Sequence, residues 1–476
     1  MNLVLKSSQL KMHQTPDLSL MVLLWLGADR ILPMKSSSKM LRDDSKPVLT
    51  VGFEGEVLSA LRARFNVQCV ISEDPSATLN WHALHGLQIE HRAPAMSAEQ
   101  LGCFMAVRAH YLQFNDINSR RYYYVPGREA ETWNGFVITF HTVYRLLKEH
   151  AIQLVLHANI PHEGFDFVLH QVARFLGISS VLCYQSLIPN RFWLSSTMPE
   201  FGRFSANPGL FDLEPSGYIL PKQWFYMKGS HKDAAYGLVQ LVREVLSRPH
   251  RLPPALVRYV YARQFRAAVA AQTQHRVAGE RYVYFPLHLQ PELTTAAQGG
   301  VYADQLLAVE ALSAWVPKGC AIYLKENPKQ TEKQRGPHFY QRLRALSNVR
   351  LLGRQESSAD LIRNSVGVAT ITGTAGWEAL FYGKPVLVFG AAWYREFPGV
   401  VEWDACSTFD EFASNTPPEA ASIVAALDSA LRTAGKGVVD SAYAELVDGY
   451  EPSANAQQVA ESLWRYVKAM TKVEAA

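Results

Sequence analysis

Residues 370–390, with the sequence TITGTAGWEALFYGKPVLVFG, decide the fold of the second half of the chain. A strand closes at Thr372, a turn of small residues follows, and a helix over 375–382 leads into a second strand over 385–389. Gly383 marks the end of the helix, because glycine readily adopts the left-handed backbone conformation that closes helices. A strand, a helix and a strand in this order predict a parallel βαβ unit.

The same alternation extends along the chain in both directions. Short apolar runs separated by helical segments predict a doubly wound parallel sheet for the second half. Its further strands are predicted at 282–286, 321–324, 349–352 and 367–372, and its further helices at 303–315 and 338–346. In the first half, strands are predicted at 48–51, 152–156 and 180–183, and a helix at 165–176. The sequence therefore predicts an α/β protein with two Rossmann-like domains.

A stretch of different composition joins the two halves. Residues 187–235 are rich in proline, glycine and aromatic residues, which predicts a long irregular connection. Residues 236–276 are predicted to be helical, with breaks at prolines, and they carry seven arginines against the single carboxylate of Glu244. We interpret these arginines as a solvated helical face, and the alternative is a basic surface that meets anionic lipid headgroups.

Composition limits the classes of function open to the chain. A length of 476 residues favours two domains over one core. The net charge of +4 is too small to indicate nucleic acid as the main ligand. The five cysteines are scattered and odd in number, which predicts reduced thiols in a cytoplasmic protein. The apolar run over 18–26 is shorter than the roughly 20 residues of a spanning helix, and it does not resemble a signal peptide.

Ligands bind at the carboxyl ends of parallel strands, so the residues that follow each strand are the site candidates. Gly373, Thr374, Ala375 and Gly376 follow one strand. Their small side chains let a ligand approach a helix start, whose N–H groups favour anions, and Thr374 is the expected N-cap. Glu378, in the first turn, is placed to accept hydrogen bonds from ribose hydroxyls. The alternative is that this carboxylate complements the helix dipole.

Two other strands of the second half also end in polar residues. His288, Gln290 and Glu292 gather where a phosphate or a base would lie, although a histidine among apolar neighbours is as often structural. Lys325 and Asn327 follow the next strand along the chain. The lysine is placed to offset phosphate charge, and the alternative is an ordinary solvated lysine at a strand end.

The order and spacing of several runs within residues 282–400 carry a resemblance to a known family. These runs are FPLHLQPE, YADQ, LKENP, NVRLL, TITGTAGWEALFYGKPVLVFG and the AWY that follows. Together they resemble the capsule polysaccharide biosynthesis proteins, a family that includes the bacterial β-Kdo transferases. The first half of the chain matches much more loosely.

The resemblance implies a GT-B-like architecture, in which two Rossmann-like domains face a central cleft and a C-terminal helix, here at 456–470, crosses back. It also implies an inverting transfer with CMP-Kdo as donor, without a metal ion and without a cofactor. One departure is Asn327, because family members commonly carry a histidine there that is associated with the donor phosphate. Asparagine donates a hydrogen bond but carries no charge, so His288 or Lys325 is the hypothetical replacement.

The resemblance also assigns roles to the predicted domains. The predicted segments are an N-terminal extension over 1–46, an acceptor-side domain over 47–235, a helical connection over 236–276, a nucleotide-sugar-binding domain over 277–450 and a terminal helix over 451–476. The extension is either poorly ordered or an over-long start.

An inverting transfer needs a carboxylate or a histidine that takes the proton of the acceptor hydroxyl, and the first domain is expected to supply it. Glu163 is the favoured candidate, with Asp166 and His162 close behind, because all three stand at a helix start after a strand. Ordinary helix capping by the two carboxylates is the alternative. The acidic-acidic-Gly motif of the β-Kdo transferases is matched only in part, by Glu163 and the glycine after it. Glu54 and Glu56, after the first strand, are further candidates.

The leading hypothesis is an inverting, metal-independent glycosyltransferase of hexosyl or Kdo type. It would move a sugar from a nucleotide donor to a capsular or other cell-surface polysaccharide or glycolipid. The alternatives are a sugar-nucleotide epimerase on the same scaffold and a non-catalytic glycan-assembly protein. The expected partners are the nucleotide sugar and a glycan or lipid-linked glycan acceptor, with no nucleic acid. The expected location is the cytoplasm, with peripheral association at the inner face of the cytoplasmic membrane.

Overall fold

The computed structural model describes residues 43–81, 95–118, 129–212, 216–221, 224, 237–290, 292–331, 335–417 and 419–474. The apolar run at 18–26 and most of the predicted extension lie outside these residues. Within them, the chain forms two seven-stranded sheets with helices packed on both. The expected α/β architecture with two Rossmann-like sheets is confirmed.

The first sheet is built mainly from the first half of the chain. Its strands are β1 Asp43–Val51, β2 Phe65–Ser72, β3 Leu79–Asn80, β4 Leu154–His157, β5 Ser179–Gln185, β6 Arg191–Ser195 and β14 Gly435–Lys436. They lie in the order β14-β6-β5-β4-β1-β2-β3. The strands from β5 to β3 are parallel, and β6 is antiparallel to both of its neighbours, β5 and β14. Its helices are α1 Gly55–Arg64, α2 Ala98–Arg108, α3 Tyr111–Asn118, α4 Glu129–Glu149 and α5 Phe165–Phe175.

The second sheet is built from the second half, and all its strand pairs are parallel. Its strands are β7 Thr273–Gln274, β8 Arg281–Pro286, β9 Cys320–Lys325, β10 Val349–Leu352, β11 Gly367–Thr370, β12 Val386–Val388 and β13 Val400–Glu402, in the order β13-β12-β11-β8-β9-β10-β7. The helices are α6 Leu238–Ser247, α7 Leu252–Gln272, α8 Gln305–Trp315, α9 Pro337–Arg344, α10 Ser358–Asn364, α11 Thr374–Phe381, α12 Phe409–Ser414 and α13 Ala420–Leu431. A short π-helical turn, Leu293–Ala297, follows β8.

The last helix, α14 Pro452–Glu474, returns to the first half of the chain. Val459, Leu463 and Tyr466 are buried in one cluster with side chains of α1 and the first sheet. The predicted helix over 456–470 is confirmed, and so is its crossing back, because its apolar stripe needs a partner surface and finds it there.

The interpretation of 187–235 as wholly irregular was wrong at β6. Prolines at 189 and 199 bracket the short aromatic run of this strand, which hides its β propensity in the sequence. Pairing with β5 places Trp193 in a stack with Trp393 of the second half, with ring centroids 5.6 Å apart. Trp377 of α11 lies 4.6 Å from Trp393, so these indoles join the two halves in one continuous core.

In the described part of the chain, no helix is long and apolar enough to cross a membrane. The domain boundaries given above stay predictions.

The core of the first half holds two histidines, His157 at the end of β4 and His170 in α5. Their ring centroids are 5.9 Å apart, and among the described residues neither ring has a hydrogen-bond partner. Burial lowers the pKa of His157, and it lowers the pKa of His170 to about 3. Both rings are therefore neutral at pH 7.

Acid should destabilise the protein through these buried rings. An unfolded histidine titrates near about 6.5, whereas the pKa of folded His170 is about 3. Between these values the unfolded chain binds more protons, so the free energy of unfolding falls as pH falls through this window. Urea unfolding at several values from pH 7 to pH 4 gives the slope of the free energy of unfolding against pH. This slope should be smaller by about 1.4 kcal/mol per pH unit in His170→Leu than in the parent protein. The exposed control His275→Leu should keep the parent slope, and an unchanged slope in His170→Leu would contradict this account.

Candidate functional site

The crevice of the second sheet lies between β8 and β11, where the strand order reverses. His288 follows β8 and Gly373 follows β11. Nε2 of His288 lies 2.7 Å from Oγ1 of Thr370, and the same oxygen accepts the N–H of Gly373 at 3.1 Å. One hydroxyl therefore joins the ends of the two strands.

The two glycines at the start of α11 allow close packing at this point. A Cβ on Gly373 would come 2.8 Å from Nε2 of His288, and one on Gly376 would collide with the hydroxyl of Tyr394. That hydroxyl donates a hydrogen bond to the carbonyl of Gly373. The small residues thus hold the helix start close to the sheet.

The structure corrects the capping assignment at this helix. Gly373 is the N-cap, in an extended conformation, and Thr374 is already helical. Oγ1 of Thr370 accepts a hydrogen bond from the N–H of Gly373, so the helix cap lies one residue earlier than expected. The predicted stop is confirmed, since Gly383 has a φ of +66° and the N–H of Lys384 bonds back to the carbonyl of Ala379.

His288 does not supply the positive charge that Asn327 lacks. Burial, together with the nearby charge of Arg335, lowers the pKa of His288 to about 3, so the ring is neutral at pH 7. The hypothesis that this histidine replaces the charge was therefore wrong. Asn327 shapes its own loop, because its amide oxygen accepts the N–H of Lys329 at 2.9 Å.

Gln305, which was not predicted as a site residue, holds the segment after β8. Its Oε1 accepts the N–H of His288 at 2.8 Å, and its Nε2 donates to the carbonyl of His288 and to Oε1 of Gln290. Nε2 of Gln290 donates to the carbonyl of Ala303 at 2.6 Å. The predicted ligand amide of Gln290 is thus used to hold the loop. Glu292, two residues on, is the N-cap of the π-helical turn.

A buried ion pair was also missed. Nη1 of Arg335 lies 2.6 Å from Oε1 of Glu326, the hydroxyl of Tyr340 donates to Oε2 of Glu326 at 2.6 Å, and Nη2 of Arg335 donates to the carbonyl of His288 at 2.9 Å. A polar residue directly after a strand was a signal for Glu326. Its partner nine positions later could not be paired with it from one sequence.

Lys325 and Glu378 are two charged side chains of this crevice that lie close enough to affect each other's pKa. Nζ of Lys325 donates to Oγ of Ser358 at 2.9 Å, and burial lowers the pKa of Lys325 against the opposing charges of Glu356 and Glu378. Burial raises the pKa of Glu378, while a hydrogen bond from the indole of Trp224 at 2.6 Å and the charge of Lys325 act against the rise. A cation and a carboxylate near a helix start suit a phosphate and a ribose.

The first sheet has an equivalent crevice between β1 and β4, where its strand order reverses. His162 and Glu163 stand in the segment after β4. Nδ1 of His162 lies 2.7 Å from the carbonyl oxygen of Ile160, and its Nε2 lies 3.2 Å from Oε1 of Glu163. The carbonyl can only accept, so Nδ1 carries a hydrogen, and a proton can pass between Nε2 and the carboxylate. The two side chains thus bring a histidine nitrogen and a carboxylate into direct contact.

Asp166 has the capping role that was the alternative to a catalytic one. Its carboxylate is buried and accepts the backbone N–H groups of His162, Glu163 and Phe167 at 2.7–2.9 Å. It fixes the loop that presents the other two candidates. Glu54, across the crevice, is exposed and accepts the N–H of Glu73, and Glu56 is exposed as well.

The two crevices are linked through α3. Asn118 at its end packs against Gly164, and Nε2 of Gln113 donates to the carbonyl of Ala297 at 3.1 Å. A cavity of about 360 Å³ lies beside this contact, lined from the first half by Gln113 and Arg174 among others, and from the second half by residues around 297–302 and 388–391. It lies at the end of β12, next to the second crevice, and its lining includes none of the predicted site residues.

Within the described ranges, no group of three His, Cys, Asp or Glu side chains is arranged to hold a metal ion.

Residues 257–432 match the family model described as "Capsule polysaccharide biosynthesis protein". The similarity to that family is confined to this segment. The segment contains the whole of the second crevice, from His288 to Glu378. No curated protein matches the chain.

Solved structures with a similar course of the chain include the β-Kdo 2,4 transferase of Thermosulfurimonas dismutans KpsC, with 12% identity, a TM-score of 0.27 and coverage of 58% of this chain and 87% of that one. They also include a UDP-GlcNAc 2-epimerase from Methanocaldococcus jannaschii, with 10% identity, a TM-score of 0.23 and coverage of 91% and 100%. The glycosyltransferase SnogD from Streptomyces nogalater has 11% identity, a TM-score of 0.18 and coverage of 91% and 100%. Likenesses this weak say nothing of what the present protein acts on.

Removal of the cation at the second crevice should weaken nucleotide binding. Lys325→Met loses a charge-assisted hydrogen bond to phosphate, for which we expect a dissociation constant about tenfold higher or more by calorimetry. The matched control is Lys318→Met, an exposed lysine just before β9 at the opposite edge of the sheet, and it should bind as the parent does. Equal affinities in both variants would place the phosphate elsewhere.

Proposed function

We propose that the protein is an inverting glycosyltransferase that moves a sugar from a nucleotide donor to a growing cell-surface glycan. The observation that carries the proposal is the family match, because it contains every donor-side residue named above. The donor would lie in the second crevice, and the acceptor would approach from the first.

On the donor side, the start of α11 and Lys325 would receive the phosphates, and Glu378 would accept hydrogen bonds from the ribose. Trp224 already donates to one oxygen of this carboxylate, which fixes its direction. The neutral ring of His288 would hold the helix start in place and would not contact the phosphate as a cation.

The acid–base step would use the pair of His162 and Glu163. In an inverting transfer, the acceptor hydroxyl loses its proton as its oxygen attacks the anomeric carbon and the nucleotide leaves with the bonding electrons. Glu163 is the favoured base, and a proton taken by its carboxylate can be shared with Nε2 of His162 at 3.2 Å. Asp166 is a positioning residue, since its oxygens accept backbone N–H groups.

CMP-Kdo is the first donor to test, because it is the donor that the family resemblance implies. Lys325 would provide the positive charge near the phosphate that Asn327 does not. The transfer would need no metal ion, because the cation and the helix N-terminus would offset the charge of the leaving group. A capsular polysaccharide or a lipid-linked glycan would be the acceptor.

Loss of the base should abolish turnover without loss of donor binding. Glu163→Gln keeps the size of the side chain and removes its basicity, so kcat should fall by about 100-fold to 10,000-fold at an unchanged donor dissociation constant. The product of CMP-Kdo and a glycan acceptor would be followed by mass spectrometry. Glu56→Gln, on an exposed carboxylate of the same crevice, is the matched control and should keep the parent rate.

Three further outcomes distinguish the alternative bases and functions. If Glu56→Gln lost activity and Glu163→Gln kept it, the base would lie after β1. Conversion of a UDP-sugar without any acceptor, followed by NMR, would indicate an epimerase. Nucleotide binding without turnover of any donor would indicate a non-catalytic assembly protein.

A further inference from the structure

The helical hairpin of α6 and α7 has an outer surface that the rest of the described chain does not cover. α7 is anchored to the second half, where the ring of Phe265 packs 5.7 Å from that of Tyr340 in α9. α6 in turn packs on α7 through a small cluster that includes Leu241, Ala255 and Ala262. This cluster is the inner side of the hairpin.

The outer side of α6 is apolar. Leu238, Val239, Val242 and Leu246 are all exposed, and their spacing puts them on one face of the helix. α7 adds further exposed apolar side chains, namely Leu252, Leu256, Val257 and Val260. Soluble proteins rarely leave a contiguous apolar stripe of this kind in water unless it binds something.

The charge around this stripe is strongly one-sided. Residues 238–272 contain six arginines and one acidic residue, Glu244, whose carboxylate lies 3.9 Å from a guanidinium nitrogen of Arg258. Arg243 lines the same shallow groove as Leu246. The partner of this surface must therefore offer both an apolar layer and negative charge at its boundary.

We propose that the hairpin of α6 and α7 docks on an anionic lipid bilayer. The apolar stripe of α6 enters the boundary between headgroups and acyl chains, and the arginines lie at the level of the lipid phosphates. A second copy of the chain fits less well, because it would bring two arginine-rich hairpins together. The inference does not depend on the transferase reaction, although docking would bring the protein to a lipid-linked acceptor.

The test uses the full chain and sedimentation with lipid vesicles. The protein should bind vesicles of equal parts phosphatidylglycerol and phosphatidylcholine, bind pure phosphatidylcholine much more weakly, and lose binding as salt screens the charges. Leu246→Glu should lower the partition coefficient at least about tenfold, because it puts a charge into the apolar layer. Arg243→Gln should lower it by about fivefold.

The matched control is Leu112→Glu in α3, because Leu112 is 77% exposed and Leu246 is 78% exposed. This variant should bind vesicles as the parent does. Thermal melting of all three variants should match the parent, since each substituted side chain is exposed. Equal vesicle binding by Leu246→Glu and the parent would overturn the proposal. Equal binding of the parent to vesicles with and without phosphatidylglycerol would overturn it as well. A dimer in light scattering that Leu246→Glu disrupts, in a protein that binds no vesicles, would instead make this face an interface between copies.

Discussion

The second crevice depends on a single hydroxyl group, that of Thr370, at which two strand ends meet. It accepts the N–H of Gly373 and lies 2.7 Å from Nε2 of His288. Because burial keeps the histidine neutral, the contact needs no counter-ion and can sit beneath the start of α11. A larger residue in place of the glycine would push the helix away from β8, and its N–H groups would then point elsewhere. The packing around this hydroxyl therefore sets the direction of the N–H groups that a ligand would meet.

The buried ion pair of Glu326 and Arg335 also depends on its neighbours. Burial of two charges costs free energy that their attraction offsets only with excellent geometry and further hydrogen bonds. Tyr340 and the carbonyl of His288 supply those bonds. The pair therefore fixes the loop after β9, which leaves Lys325 beside the crevice. The indole contacts join the second sheet to the first half, and α14 packs back on the first sheet.

The sequence predicted the alternating elements well, because period and length distinguish buried parallel strands from helices. It predicted the place of the crevice for the same reason, since strand ends can be read from the pattern. It could not predict that His288 would be neutral or that Glu326 would find Arg335, because burial and pairing arise from contacts between distant segments. Asp166 was ambiguous between base and cap, and only its hydrogen bonds to backbone N–H groups decide for the cap. β6 was missed because its aromatic run is short and lies between prolines.

The central claim is that the nucleotide lies at the carboxyl ends of β8, β9 and β11. Amide hydrogen exchange tests it most directly, once a thermal-shift screen of CMP, CDP, UDP and GDP compounds has identified a stabilising ligand. The account predicts slower exchange on binding in 287–292, 325–330 and 372–378. Slower exchange confined to 297–302 and 388–391, around the neighbouring cavity, or to the first sheet, would contradict it.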